Sequence, residues 1–260
     1  MPVRRKRKEP PRDDELIRLN KRLSELGYCS RREADEFIKR GQVKVDGAVV
    51  TELGTKVTRN QYVELDRIAA AVQAGKVTVL LNKPTGFVSG QAEHGHRPAM
   101  DMLRDRNFES RYGDSPFVDN EFPRGWRKGL APAGRLDHDS SGLLVFTADG
   151  TVAKTLIGPD NKVEKEYIVG FDGLATPEDL DMLRHGLFLD GRKLQPARVE
   201  RDGSHRLRII LREGRRRQIR RMLKLRGLEV TFLHRVRIGK VHLASLPKGK
   251  FRFLRDGELF

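Results

Sequence analysis

Cysteine is nearly missing from this chain: Cys29 is the one thiol in 260 residues. No disulfide can form within the chain, and no cysteine-based zinc site can be built. That usage fits a reducing compartment, and a cytoplasmic location is expected. Long apolar runs are missing too. None approaches the roughly 18 residues needed to cross a bilayer. The N-terminal MPVRRKRKEPP has no apolar segment after its charges and does not read as a secretory signal. No basic amphipathic helix with a strong apolar face stands out, so no membrane partner is expected. There is no P-loop and no G-x-G-x-x-G, which leaves ATP, NAD and a glycine-rich methyl-donor site without support. A G-x-S-x-G nucleophile elbow is also missing, and the adjacent His138, Asp139 and Ser140 do not form a hydrolytic triad. Glu93-His94-Gly95-His96 offers metal-ligand types but no further ligand, and no metal is expected.

Acidic residues are scarce relative to basic ones, 36 against 52, giving a net charge of +16 and a pI near 10.3. A surface of that sign concentrates polyanions, and nucleic acid is the leading partner. The charge is clustered. Residues 1–12 hold the unbroken run Arg4, Arg5, Lys6, Arg7, Lys8 before Pro10 and Pro11, a tail expected to be disordered. Residues 13–66 read as a small helix–helix–hairpin unit. Leu16, Leu19, Leu23 and Leu26 recur at helical spacing, with Gly27 to end the helix. Ser30 and Glu33 form a capping box opening a second helix through Ala34, Phe37 and Ile38. Val43–Val45, the Asp46-Gly47 turn and Ala48–Val50 make a hairpin. Residues 67–76 are weakly patterned and read as a linker. Arg31, Arg32, Lys39 and Arg40 place cations at both ends of the second helix, where they suit phosphate binding.

Residues 77–260 read as one mixed domain of strands and helices. Strands are expected at Val77–Leu81, Leu143–Thr147, Glu166–Phe171, Arg206–Ile209 and over much of Val230–Leu254. Helices are expected after Asp149-Gly150, from Thr176-Pro177, and around Arg216–Leu225. Residues 91–130, rich in Gly, Pro and charge, read as a long loop with a short helix near 99–104. Gly134 to Thr147 is the most informative stretch: a turn with Arg135, Asp137, His138 and Asp139 leads into an apolar strand. An aspartate beside an arginine stays ionised and can serve as a nucleophile or a general base. The same pattern also suits a plain turn stabilised by an aspartate cap.

LNKRLSELGYCSRREADEFIKRGQVKVDG resembles the RNA-binding module of the ribosomal protein S-four type. GRLDHDSSGLLVFTADG resembles the signature of pseudouridine synthases. LNKPTGFVSG, VEKEYIV and EGRRRQIRRM follow that family's companion segments in order, and the whole is similar to the RsuA/RluF-like branch acting on ribosomal RNA. The resemblance implies an α+β chain: the small RNA-binding domain, then a mixed, largely antiparallel-sheet catalytic domain. It implies isomerisation of a uridine to pseudouridine in ribosomal RNA, with large-subunit RNA favoured and small-subunit RNA and transfer RNA the other candidates. It implies Asp137 as the essential carboxylate, Arg135 near the flipped nucleotide, and Leu136 and His138 as substrate- or RNA-binding residues. Tyr167 would stack on the uracil, and Arg220 would pair with Asp137. Arg215, Arg216, Arg217, Arg220 and Arg221 put five arginines in seven positions; on a helix they would present cations on more than one face, some tracking phosphates while Arg220 turns inward. Lys83 is a further candidate for the RNA backbone. The isomerisation needs no redox step, so no cofactor is expected, and a monomer is expected. The competing reading is a non-catalytic, ribosome-associated RNA-binding protein; an RNA methyltransferase carrying the same module is a third.

Overall fold

The structure, a computed structural model, describes residues 15–92, 95–158 and 161–260. The basic tail 1–12 and the residues Glu93 and His94 lie outside the described residues. The chain divides into two compact units, the first running up to Lys76 and including Asp149–Thr151, the second made of the rest.

The first unit contains β1 (Ile17–Arg18), α1 (Leu19–Glu25), α2 (Arg31–Lys39), β2 (Val43–Val45), β3 (Ala48–Val50), β4 (Lys56–Val57), β5 (Val63–Leu65) and α3 (Arg67–Ala74). The capping box forms as its spelling requires. Glu33 N–H donates to Ser30 Oγ at 3.4 Å, and Ser30 N–H donates to the Glu33 carboxylate at 2.9 Å, which contributes about 1 kcal/mol to starting α2. Ala34, Phe37 and Ile38 then fall on one face and are buried with Leu19, Leu23, Val43 and Val63. Asp46 and Gly47 both take positive φ, 49° and 81°, the geometry of a tight two-residue hairpin. Two details differ from the sequence reading. The first helix begins at Leu19, because Ile17 is drawn into a pair with Val57 and Leu16 is left exposed. The segment read as a linker contains α3. Asp66 caps it by accepting from Ala69 N–H at 2.7 Å, and its alanines favour helix. Only Ala69 of α3 is buried, so no amphipathic stripe announces it.

The second unit adds β6 (Thr78–Lys83), β7 (Phe87–Val88), β8 (Arg97–Pro98), β9 (Ala131–Pro132), β10 (Ser141–Thr147), α4 (Gly150–Ile157), β11 (Lys165–Asp172), α5 (Pro177–His185), β12 (Phe188–Leu189), β13 (Arg192–Lys193), β14 (Arg198–Arg201), β15 (Arg206–Leu211), α6 (Gln218–Lys224), β16 (Glu229–Ile238), β17 (Val241–His242) and β18 (Phe251–Phe253). One mixed sheet runs β14-β15-β11-β16-β10-β6-β18, with β9 on β10 and β17 on β16. All its pairings are antiparallel except β10 with β16. At that parallel contact Gly142 lies opposite Arg235. A Cβ on Gly142 would come within 2.3 Å of the Arg235 carbonyl oxygen, and its φ of +104° disfavours any side chain. The turn bearing Asp137 enters the sheet at this point.

The stretch 91–130 is organised by aromatic packing. Phe108, Phe117, Phe122 and Trp126 gather on Phe251 and Phe253 of β18, with Phe122–Trp126 centroids 5.2 Å apart and Trp126–Phe251 centroids 5.7 Å apart. Short 3-10 turns at Ala99–Met102, Asp105–Asn107, Ser110–Tyr112 and Val118–Asn120 connect these anchors. Helix α6 starts at Gln218 rather than Arg216. Arg217 has φ +50°, which takes it out of the right-handed helix.

Cys29 is fully buried, and burial first, then the Glu33 charge, push its thiol up to about 12. The thiolate is the reactive form. Cys29 is therefore expected to resist a maleimide at pH 8 in native protein and to react once the first unit unfolds; rapid native labelling would contradict the burial. Gly142→Ala is expected to destabilise the second unit by at least about 2 kcal/mol, seen as a Tm drop of roughly 5 °C or more. An unchanged Tm would refute the close approach.

Candidate active site

The loop Arg135–Ser140 is gripped from several sides. Ser89, 4% exposed, clasps Leu136: its hydroxyl accepts from Leu136 N–H at 2.8 Å and donates to the Leu136 carbonyl at 2.7 Å. Gly86 N–H donates to the His138 carbonyl at 2.7 Å, and Ser140 N–H to the Asp137 carbonyl at 3.1 Å. Arg235 reaches both ends of the turn, donating from Nε to the Leu143 carbonyl at 2.7 Å and from Nη1 to the Arg135 carbonyl at 3.2 Å. The backbone around Asp137 is thus set by hydrogen bonds from β6's following loop and from β16. The Asp137 side chain is left one-third exposed. Leu136 is buried, anchoring the turn, while Arg135 and His138 are exposed. The His138 ring stacks on His96 at 4.5 Å.

Two arginines close on this turn, in an arrangement that departs from the sequence expectation. Arg220 pairs with Asp139, not Asp137: its Nε lies 3.2 Å from the Asp139 carboxylate and its Nη2 donates to the Asp139 carbonyl at 2.9 Å. Arg217 donates to the Asp139 carboxylate at 2.7 Å and stands 4.0 Å from that of Asp137. Burial pushes the Asp139 carboxyl up, but the hydrogen bond from Arg217 and the charges of Arg220 and Arg217 outweigh it and hold the group below its ordinary value. The unfolded chain takes up that proton more readily. This contribution to stability is therefore present above the ordinary carboxylate range and lost as pH falls below it. The left-handed Arg217 is what turns its side chain onto the loop while Arg220 projects from the first turn of α6. The expectation that all five arginines share a helix fails for Arg215, Arg216 and Arg217. Arg215 is spent internally, donating to the carbonyls of Leu189 and Lys193 in the β12–β13 hairpin at 2.9 and 3.1 Å. Arg221 pairs with Asp190 at 2.6 Å. Arg216 is exposed and makes no side-chain hydrogen bond or ion pair among the described residues.

Tyr167 lies on β11 directly opposite Arg235, half-buried, with the Arg235 guanidinium 6.0 Å from its ring centroid. Lys83 does not reach outward to RNA. It is 0% exposed, and its ammonium donates to the carbonyls of Pro84 and Phe87 at 2.9 and 2.8 Å. Burial lowers its pKa to about 8, against the pull of Asp139. Lys165 is lowered to about 8 as well, by burial and then by the Arg235 charge. Asp139, Ser89 and Arg235 were not singled out as site residues from the sequence, and Lys83 was read as an outward contact to the RNA backbone. For Arg235 a signal existed: it falls in phase with buried Leu233 on the inward face of β16, an unusual place for a guanidinium. Ser89 and Gly86 carried none, since their roles exist only once the turn is folded against them.

In the first unit Arg31, Arg32, Lys39 and Arg40 are all exposed. Lys39 pairs with Glu36 at 3.1 Å; the three arginines make no side-chain hydrogen bond or ion pair among the described residues. A separate cleft of about 500 Å³ opens between Asp101–Asp105 and Phe122–Arg127, and no residue of the Asp137 turn lines it.

Residues 77–225 match the family described as RNA pseudouridylate synthase, and residues 17–63 match the S4 domain. The dual-specificity RNA pseudouridine synthase RluF of Salmonella typhi is 37% identical, over 95% of this chain and 78% of its own length. The ribosomal large subunit pseudouridine synthase B of Bacillus subtilis is 34% identical, over 94% of each. A crystal structure of a pseudouridylate synthase superposes with a TM-score of 0.60 at 25% identity, covering 92% of this chain and 96% of that one. The clasped aspartate turn at the centre of a mixed sheet, the S4 domain before it and these relatives agree: the chain belongs to the RNA pseudouridylate synthase family.

Proposed function

We propose that this protein converts a uridine of large-subunit ribosomal RNA into pseudouridine, with Asp137 as the catalytic carboxylate. The observation that carries the assignment is the Asp137 turn itself: its backbone is fixed on every side, yet its carboxylate is open to solvent. A fixed and accessible carboxylate can attack the anomeric carbon or remove a proton from the neighbouring sugar carbon. The target base must leave its stack to reach it, and the half-buried Tyr167 ring beside the turn offers it a stacking face. Arg135, His138 and Arg216 face outward, where they meet the RNA backbone; Leu136 holds the turn. Arg217 and Arg220 position the turn through Asp139. The free arginines of the first unit, Arg31, Arg32 and Arg40, take phosphates of a structured RNA. The enzyme works as a monomer in the cytoplasm without a cofactor. No helix among the described residues is long and apolar enough to cross a membrane.

Incubating the protein with unmodified ribosomal RNA and no cofactor, then mapping pseudouridine, tests the reading, with transfer RNA as the parallel substrate. Conversion is expected at one or a few large-subunit sites, and Asp137→Asn is expected to lower it by more than about 10³-fold. Full activity of that variant would overturn the assignment of Asp137, and no conversion by the parent protein would overturn the reaction. Asp139→Asn is expected to retain the reaction at a rate roughly 10- to 100-fold lower, because it releases Arg217 and Arg220 and loosens the turn; an unchanged rate would show that the two arginines do not position it. Reversing Arg31, Arg32 and Arg40 together to Glu is expected to weaken RNA binding and to flatten the log Kd against log salt slope by about 2, with little effect on the rate at saturating RNA. An unchanged slope would remove these arginines from the interface.

A further inference from the structure

The exposed cations of the site, Arg135 and Arg216, are accounted for by phosphates. The buried ones are not. Lys83 and Arg235 are 0% and 2% exposed, and Lys165 is half-buried beside them. None of the three forms an ion pair with a carboxylate among the described residues. They are bonded to carbonyl oxygens only: Lys83 to Pro84 and Phe87, Arg235 to Arg135 and Leu143, and Lys165 to Val163 at 3.1 Å. Nη2 of Arg235 is shielded from solvent and has no hydrogen-bond partner among the described residues. After burial, the charge of Arg235 helps to lower both lysines. Burying cations with no carboxylate in direct contact costs free energy, which for Lys83 the nearby charges of Asp139 and Asp137 offset only in part. A phosphate on the outside of the RNA cannot approach groups this deep. Arg235 lies beneath the Asp137 turn and 6.0 Å from the Tyr167 ring centroid, which sets it under the proposed seat of the base. Lys83 is bonded into the loop after β6 that clasps the turn, and Lys165 is two residues before Tyr167 on β11.

We infer that Arg235, supported by Lys165 and Lys83, forms a buried cationic bed whose field stabilises the negative charge that develops on the base as it separates from the sugar. The inference rests on the proposed isomerisation. In either route open to Asp137 the C1′–N1 bond breaks with its electron pair leaving on the base. The base becomes a uracil anion with charge spread over N1 and its two carbonyl oxygens. If Asp137 attacks C1′, the ester so formed is displaced when C5 joins C1′. If it takes the C2′ proton, that proton returns to C2′ when C5 joins C1′. In both, C5 then loses its proton and N1 gains one, so nothing is oxidised or reduced. The bed acts at the step the two routes share. A base stacked on Tyr167 lies within roughly 11 Å of the Arg235 guanidinium, where one cation at an effective dielectric near 20 changes a rate by on the order of tenfold. Such preformed charge needs no reorganisation when the bond breaks.

The test compares leaving groups under single turnover. Parent, Arg235→Gln and Lys165→Met proteins are given RNA carrying either uridine or 6-azauridine at the target position; the aza base is the more acidic and carries its departing charge with less help. With uridine, Arg235→Gln is expected to slow conversion about tenfold or more and Lys165→Met by a smaller factor, while RNA binding stays within about threefold. With 6-azauridine both deficits are expected to shrink severalfold. A merely structural role of Arg235 as a clamp on the turn would slow both substrates equally, and equal deficits in both variants overturn the inference. So does a full rate for both variants with uridine. If Arg235→Gln does not fold, the Lys165→Met comparison decides by itself. A parent protein that converts neither RNA overturns the proposed function, and this inference with it.

Discussion

Everything at the centre of the second unit depends on how closely two backbones approach at Gly142 and Arg235. The parallel contact between β10 and β16 is possible because residue 142 has no side chain and accepts a φ of +104°. Once the strands meet there, the guanidinium of Arg235 is brought beneath the turn and bridges the carbonyls of Arg135 and Leu143. The same approach sets Tyr167 opposite Arg235 on the next strand. One glycine thus brings the strand that follows Asp137 and the strand that lies under it into a single hydrogen-bonded unit. The clasp from Ser89 and Gly86 closes it from the other side.

The charges form layers around that unit. Outermost are arginines that have no side-chain partner among the described residues. Next come Arg217 and Arg220, which share the carboxylate of Asp139. Innermost are cations whose hydrogen bonds among the described residues go to carbonyl oxygens. Charge near the surface is screened by water and salt, whereas charge inside is screened far less. The outer layer therefore suits capture of a polyanion, and the inner layers hold the geometry of the turn. Asp139 has a separate part in this: it ties the α6 arginines to the turn and so leaves Asp137 without a direct salt bridge closer than 4.0 Å.

Much of this was legible in the amino-acid order. The Ser30–Glu33 box, the Asp46-Gly47 turn, the capped start of α5 at Thr176 and the apolar runs of β6 and β10 are local signals, and each forms where it is spelled. The features that escaped are those decided by distant partners. Ile17 is a strand residue because Val57 is there to pair with it. Strands β4, β5 and β14 are short and gain their definition from neighbours. Arg217 was placed on a helix by its arginine-rich context, but its left-handed backbone serves the bond to Asp139, 78 positions away. Lys83 looked like a surface cation after an apolar strand. Only the carbonyls of Pro84 and Phe87, folded back over it, make it an interior one.

The aromatic cluster on β18 also bears on the order in which this protein can be assembled. Strand β18 pairs with β6, so residues near 80 wait for a partner near 252. Phe108, Phe117, Phe122 and Trp126 pack on the same strand. During synthesis those rings leave the ribosome well before Phe251 and Phe253 do. Until then they have no common surface to cover, and the edge of β6 stays open to pairing with other chains. The second unit is therefore of high contact order, closing its core with nearly its last strand. The capped helices and hairpin of the first unit need no such delay and can complete their own core while the rest is still being made.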